Sequence, residues 1–384
     1  MSRERIEWIV ESCRLLRGIG DELERTTPFA GRTIGTGIHL EPKTAALLLT
    51  LARGGARVVS TGNLNTTQPE TVEYLRERGV EVIGRPTRDA DEHDGYLRAV
   101  LAEKPDLLLD NGGDLFVRFL ESPYHGLVGG TEETTSGRMR LLPLRERIAR
   151  PLLVINDSPI KQFAENRHAV GQSVLESLLR ITNRATNGRR VTVFGYGACG
   201  KGVAENLRSA HALVSVVEVD PVTRLEALLD GFAVPEREDA LASADVIVTV
   251  TGAADVVTGA DVPLLKDGAI LMNAGHLPRE IDVPALEAAA ETVRGDAGDV
   301  RTLELADGRT IHVLTGGHMV TLAGPRPLGN SIESMDLGFA LQTRCLEAVS
   351  SGAVGAESCV VPVPREVDER VASTYLALER RTSL

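Results

Sequence analysis

Short apolar runs alternate with helical patterns along most of the chain. Runs at Thr33–Leu40, Arg57–Thr61, Val80–Ile83, Leu107–Leu109 and Leu152–Ile155 have the length and composition of buried strands. Between them, Pro42–Arg53 (PKTAALLLTLAR) and Pro69–Arg78 (PETVEYLRER) space their apolar residues as helices do. A longer helical pattern, roughly Gly171–Asn187, bridges to a second series of runs: Val191–Phe194, Leu213–Val219, Asp245–Thr251, Ala269–Asn273 and Ile311–Leu314. A helical stretch around Ser334–Val349 follows, then a polar tail ending at Leu384. No solenoid period or low-complexity tract interrupts the alternation. The pattern predicts an α/β protein of two doubly wound domains, with a cleft between them as the default ligand site.

One segment of the second series carries more than periodicity. The run Val191-Thr192-Val193-Phe194 leads into Gly195-Tyr196-Gly197-Ala198-Cys199-Gly200-Lys201-Gly202, then a helix-like stretch, then an apolar run ending at Glu218. That is the strand–turn–helix–strand context of a dinucleotide fingerprint. Gly195 permits the tight turn, Gly197 lets the backbone approach a pyrophosphate, and Gly200 lets helix pack on strand. The helix start at Ala198 offers free N–H groups and a positive dipole end to the phosphates. Glu218 lies 18 residues beyond Gly200, where a carboxylate bonds both ribose hydroxyls and repels a 2′-phosphate. The expected cofactor is therefore NAD rather than NADP, held by a Rossmann-like domain.

Composition narrows the remaining classes. A chain of 384 residues accommodates two domains of ordinary size. With 42% hydrophobic residues but only 3% aromatics, the core must be Val, Leu, Ile and Ala, which suits parallel sheets covered by helices. A net charge of −12 argues against nucleic acid as a partner. Cys13, Cys199, Cys345 and Cys359 are scattered without metal-ligand spacing, so reduced thiols and no metal are expected. The opening MSRERIEWIVESC is too charged for a secretory segment, and no apolar run approaches the ~18 residues of a membrane span. A soluble, cytoplasmic protein is expected.

Seven motifs, in order, resemble S-adenosylhomocysteine hydrolases over nearly the whole chain. They are IHLEPKTA (Ile38–Ala45), GNLNTTQ (Gly62–Gln68), LDNGGDL (Leu109–Leu115), GGTEETTSG (Gly129–Gly137), INDSPIKQFAENR (Ile155–Arg167), VFGYGACGKG (Val193–Gly202) and MNAGHLPREID (Met272–Asp282). The resemblance implies a substrate domain at 1–168 plus about 326–355, an NAD domain at 169–325, and a separate C-terminal segment at 356–384. It also implies a nucleoside substrate and a homodimer or homotetramer. The implied chemistry oxidises the ribose 3′-hydroxyl, removes the acidified C4′ proton, expels the 5′ substituent, adds water and then reduces the ketone. By motif position, Lys161 sits at the 3′-oxygen with Glu165 as its partner acid, and Glu133 holds the 2′-hydroxyl beside Thr134. His39, Asn63 and Asn111 lie near the 5′ end, and His276 near the sugar. On the cofactor side, Asn166 orients the nicotinamide. Thr134, Thr135, Asn273 and Gly275 join the glycine loop and Glu218, and Thr251 and Gly252 bound the adenosine half.

The departures from the family pattern cluster. Asn111 replaces the second carboxylate of a D-D-G-G-D motif, and an amide is no general acid or base at neutral pH. Ala164-Glu165-Asn166 replaces F-D-N, Thr321 replaces an asparagine, and AGPRPLGNSIESMD (Ala323–Asp336) replaces a Gly-His-Pro loop that closes on adenine. The chain also ends near RTSL without the Lys- and Tyr-bearing tail of many relatives. The residues of 3′-oxidation are kept while the 5′ end changes. The expected activity is thus an NAD-dependent nucleoside lyase or dehydratase of secondary metabolism. A true adenosylhomocysteinase and an inactive NAD-binding regulator are the alternatives.

Overall fold

Each apolar run of the first series forms a strand in one sheet of a computed structural model that describes residues 2–382. The strands are β1 (Thr33–Ile38), β2 (Arg57–Gly62), β3 (Glu81–Ile83), β4 (Leu107–Asp110), β5 (Gly129–Glu132) and β6 (Leu152–Val154). A late strand, Cys359–Pro362 (β14 in chain order), completes a sheet ordered β14-β6-β5-β4-β1-β2-β3 and parallel throughout. Such sheets are covered on both faces, which is why Leu107, Leu108 and Leu109 are all fully buried. The Pro42–Arg53 helix begins and ends where its periodicity says, with proline in its first turn and the Glu41 side chain accepting from Lys43 N.

β5 is absent from the sequence-based expectation because GGTE lacks the branched and aromatic residues of a strand. Its glycines answer to close approach. A Cβ on Gly130 would stand 2.0 Å from the Leu108 carbonyl oxygen, and one on Gly129 would stand 2.3 Å from that of Pro151. The bridging helix spans Val170–Thr182, not Gly171–Asn187, because Asn183 turns left-handed at φ 49° and ends it. Before it, Lys161–Ala169 is wound as a π-helix. The polar tail is also structured: β14 pairs with β6, and the Arg365–Thr382 helix packs on the Ile332–Ser350 helix.

The chain divides into two units, one reaching Gln162 and resuming at Ile332, the other Phe163–Ser331. The boundaries therefore fall at 162 and 332 rather than at 168 and about 326, and 356–384 belongs to the first unit instead of standing apart. The second unit holds β7 (Arg190–Phe194), β8 (Leu213–Val217), β9 (Val246–Thr249), β10 (Ala269–Asn273), β11 (Thr292–Gly295), β12 (Val300–Glu304) and β13 (Thr310–Leu314). Their order is β11-β12-β13-β10-β9-β7-β8, parallel except that β12 runs antiparallel to both β11 and β13. Its core is aliphatic, with Val191, Val193, Val203, Val248 and Met272 buried together. Among the described residues, no helix is long and apolar enough to cross a membrane.

Among the parallel strands of each sheet the order reverses once, between β1 and β4 in the first and between β7 and β9 in the second. Open α/β sheets bind ligands beyond the carboxyl ends of strands at such switch points. His39 and Asn111 directly follow β1 and β4, and Gly195 directly follows β7.

Candidate active site and cofactor loop

At the switch point of the first unit, five residues expected from the motifs form one hydrogen-bonded chain. His39 Nδ1 lies 2.6 Å from Thr66 Oγ1, and that hydroxyl donates in turn to the Asn63 carbonyl. The Thr66 hydroxyl thus sits between the imidazole and the Asn63 carbonyl. Asn63 Nδ2 faces that Nε2 at 3.5 Å and donates to Asn111 Oδ1 at 3.0 Å. Asn111 Nδ2 then donates to Glu133 Oε2 at 2.8 Å, and Glu133 Oε1 accepts from Lys161 Nζ at 3.3 Å. All of these except His39 are buried, with Lys161 and Glu133 each about 5% exposed.

The direction of every bond explains why an amide fits at position 111. Asn111 accepts on one side and donates on the other. A carboxylate there would face Glu133 at 2.8 Å, where two ionised acids repel. Lys161 gains from Glu133 the charge pairing that a buried ammonium requires. Its position is set locally: Ser158 Oγ accepts from Ile160 N and Lys161 N and donates to Asp368 of the Arg365–Thr382 helix at 2.5 Å. Asp368 lies in the tail that the sequence pattern left structureless.

Thr134 does more structural work than expected. Its hydroxyl donates to Glu132 and accepts from Gly137 N, capping the Thr135–Leu141 helix. Sequence reasoning also passed over the pair Lys43–Glu41, which forms a 2.8 Å ion pair with both side chains 4% exposed, inside the motif that carries His39. A helix-periodic stretch gives no sign that its lysine points inward.

The second unit holds the glycine loop and most of the other residues expected at the cofactor, while Thr134 and Thr135 lie in the first. Gly195 turns at φ +98°, and a Cβ on Gly200 would stand 2.1 Å from the Gly195 carbonyl oxygen, so the turn and the Ala198–Ser209 helix require glycine. Around a Cβ placed on Gly197 there is open space out to 4 Å, and this residue caps the helix start without a side chain. The helix N-terminus is thus open to a pyrophosphate. Glu218, just past β8, accepts from Tyr196 N at 2.9 Å, which brings its carboxylate against the glycine loop. These features fit a dinucleotide with free ribose hydroxyls.

Thr251 and Gly252 follow β9 as expected, and the residue that holds them was missed. Glu280, fully buried, accepts from Thr251 N, Thr251 Oγ1 and Gly252 N at 2.8–2.9 Å, with burial pushing its carboxyl up. Asn273 Oδ1 accepts from Gly275 N, and its amide hydrogens go to the Leu277 and Gly317 carbonyls, so its side chain braces the loop after β10. His276 lies in that loop, and Glu165 and Asn166 lie buried in the π-helical stretch, all three in the second unit. Thr135 opens its helix in the first unit.

Comparison with known proteins agrees over both units. A family described as S-adenosyl-L-homocysteine hydrolase, NAD binding domain, matches residues 166–326, and one described as S-adenosyl-L-homocysteine hydrolase matches residues 2–122. An adenosylhomocysteinase of Thermotoga maritima is 40% identical, covering 97% of this chain and 93% of its own. An S-inosyl-L-homocysteine hydrolase of Methanopyrus kandleri is 38% identical, covering 97% and 89%. Among solved structures, a D-3-phosphoglycerate dehydrogenase oxidoreductase of Ralstonia solanacearum superposes with a TM-score of 0.50 at 16% identity, covering 84% of this chain and 96% of that one. That last likeness is one of fold alone.

Proposed function

The chain belongs to the S-adenosyl-L-homocysteine hydrolase family, with NAD as its cofactor, and from that premise we propose that it is a nucleoside lyase, eliminating the 5′ substituent without adding water back. When bound, NAD supplies the two-electron redox capacity. Lys161, as the neutral amine, takes the 3′-hydroxyl proton as C3′ is oxidised, and Glu133 steadies the ammonium so formed and the neighbouring 2′-hydroxyl. The ketone acidifies C4′–H. Loss of that proton, with the C4′–H electron pair forming the C4′–C5′ double bond, expels the 5′ group. His39, the one imidazole in the hydrogen-bonded chain, carries the proton from C4′ to the departing oxygen, so hydroxide leaves as water. Lys161 gives its proton back to the 3′-oxygen as the ketone is reduced again, and the net change is loss of one water.

Asn111 is the observation that carries this reading. It lies between Asn63 and Glu133 as a donor–acceptor that is neither acid nor base at neutral pH, while the Lys161–Glu133 pair beside it is intact. The hydrolytic reading is favoured by the names of the relatives, adenosylhomocysteinase and S-inosyl-L-homocysteine hydrolase. Incubation with S-adenosylhomocysteine, S-inosylhomocysteine and a panel of adenine and hypoxanthine nucleosides, read by mass spectrometry, separates the two. An unsaturated nucleoside one water lighter than its substrate supports the lyase. Release of homocysteine with no alkene from any nucleoside replaces it with the hydrolase.

A further inference from the structure

The residues of the hydrogen-bonded chain do not hold themselves in place. Asp110 and Glu132 are register partners at the ends of the adjacent strands β4 and β5, and both are fully buried. Asn111 and Glu133, which bond to each other, directly follow these two strand ends, so each is the chain neighbour of a buried acid.

The two acids do different work. Asp110 closes its own segment, accepting from Asn111 N, Leu115 N and Phe116 N at the start of the Asp114–Glu121 helix. Glu132 reaches across strands. Its Oε1 accepts from Gly112 N at 3.0 Å and from Thr134 N and Oγ1, both at 2.7 Å, and its Oε2 accepts from Gly113 N at 2.9 Å. Gly112 and Gly113 turn at φ +91° and +74°, which aims both amides at the carboxylate. One side chain therefore ties the loop that carries Asn111 to the turn that carries Glu133 and Thr134.

We propose that Glu132 is a positioning residue of this site: its buried carboxylate fixes the Asn111–Gly113 loop against the Glu133–Thr134 turn, so that Asn111 and Glu133 meet and Glu133 is held for Lys161. Both oxygens of the fully buried Glu132 are engaged by donors of the chain itself. Its effect passes through Glu133, and since a misplacement of ~1 Å costs on the order of 100-fold in rate, that effect falls on the chemical step more than on binding. The rate readout rests on the proposed nucleoside oxidation; the geometric readout does not.

Glu132→Gln tests it. The isostere keeps three acceptor bonds at one oxygen but sets an amide N–H₂ against the Gly113 N–H. In the NAD-loaded protein, the rate at which adenosine raises the reduced-nicotinamide absorbance should fall about 30-fold, with half-saturation by adenosine within about threefold of the unmodified value and NAD content unchanged. Hydrogen exchange of peptides covering residues 110–116 and 129–137 should accelerate about tenfold. Gly137→Ala approaches the same carboxylate from outside, since its Cβ would stand 2.2 Å from the Glu132 carboxyl carbon while raising helix propensity. It should reproduce the loss of rate with the carboxyl group itself retained, and it stands in if Glu132→Gln does not fold. Reduction rates within threefold of the unmodified protein, in either variant with NAD bound, overturn the proposal. If no nucleoside reduces the cofactor in the unmodified protein, the functional reading falls. Exchange then decides this one: unchanged protection of 110–116 in Glu132→Gln overturns it.

Discussion

The two switch points solve the same problem with different parts. At the end of β5 a buried glutamate, Glu132, gathers donors from two segments; past β10 another, Glu280, gathers three donors from the turn after β9. In the first unit the groups thereby aimed are side chains: Asn111, Glu133 and, through Glu133, Lys161. In the second the arrangement is one of backbone: a left-handed turn at Gly195, clearance at Gly197 and an open helix start. Chemistry on a sugar needs groups that take and give protons, so side-chain identity matters most in the first unit. Phosphates and ribose hydroxyls need N–H groups and clearance, so the absence of a Cβ matters most in the second.

The hardest break of this contrast is on the side-chain side. Lys161→Met should leave fold and NAD content intact and lower nucleoside-driven cofactor reduction on the order of 10³-fold, because the base and its pairing with Glu133 vanish together. Turnover near the unmodified rate would show that the lysine is structural. On the backbone side, Gly200→Ala should do the reverse. Its Cβ would fall 2.1 Å from the Gly195 carbonyl oxygen, so the turn must move, and NAD should be lost at a stability cost of about 1–3 kcal/mol. Retention of stoichiometric NAD by this variant would remove the basis for assigning the loop. Glu218→Ala should have a smaller effect, weakening NAD about tenfold and narrowing its preference over NADP, measured by titration of the stripped protein. Equal affinity for the two dinucleotides in the unmodified protein would contradict that role.

What the sequence disclosed follows the same division. The glycine loop, its strands and Glu218 are legible because backbone requirements write themselves as local spacing: a glycine is needed where a turn or a close contact forbids a Cβ. The hydrogen-bonded chain is legible only as a set of motif positions, since nothing in LDNGGDL or GGTEETTSG says that Asn111 donates to Glu133. The two organising glutamates stayed hidden. Glu132 stands beside another glutamate in a segment rich in polar residues, and Glu280 sits in a polar turn, so neither has a periodic signal, and each acts on residues about 20 to 30 positions away. The C-terminal strand and helix were missed for a related reason. Burial of Asp368 against Ser158, 210 residues earlier in the chain, is a tertiary fact that the polar composition of 356–384 conceals.

The smallest expected effect concerns how the acidic pair beside the active-site side chains responds to pH. Burial and the neighbouring Asp114 charge push the Asp110 carboxyl up to about 6, against the three amides that favour its ionised form. Burial and Asp110 push the Glu132 carboxyl up to about 8, against its own four donors. In the unfolded chain both protons leave near pH 4, the ordinary range of a carboxylic acid. Between there and about pH 8 the folded state therefore binds more protons than the unfolded one, and stability falls as pH rises through that window. The stabilisation is complete below pH 4 for these two groups and gone above about pH 8. Urea midpoints measured from pH 5 to pH 8 should decline for the unmodified protein and decline less for Glu132→Gln, in which Asp110 remains to titrate near 6. Glu280→Gln, which removes a raised carboxyl from the second unit, should also flatten the curve while leaving the first unit's exchange protection unchanged. Parallel midpoint curves for all three proteins would mean that the buried acids ionise at their ordinary values, with the converging donors fully offsetting burial in both units.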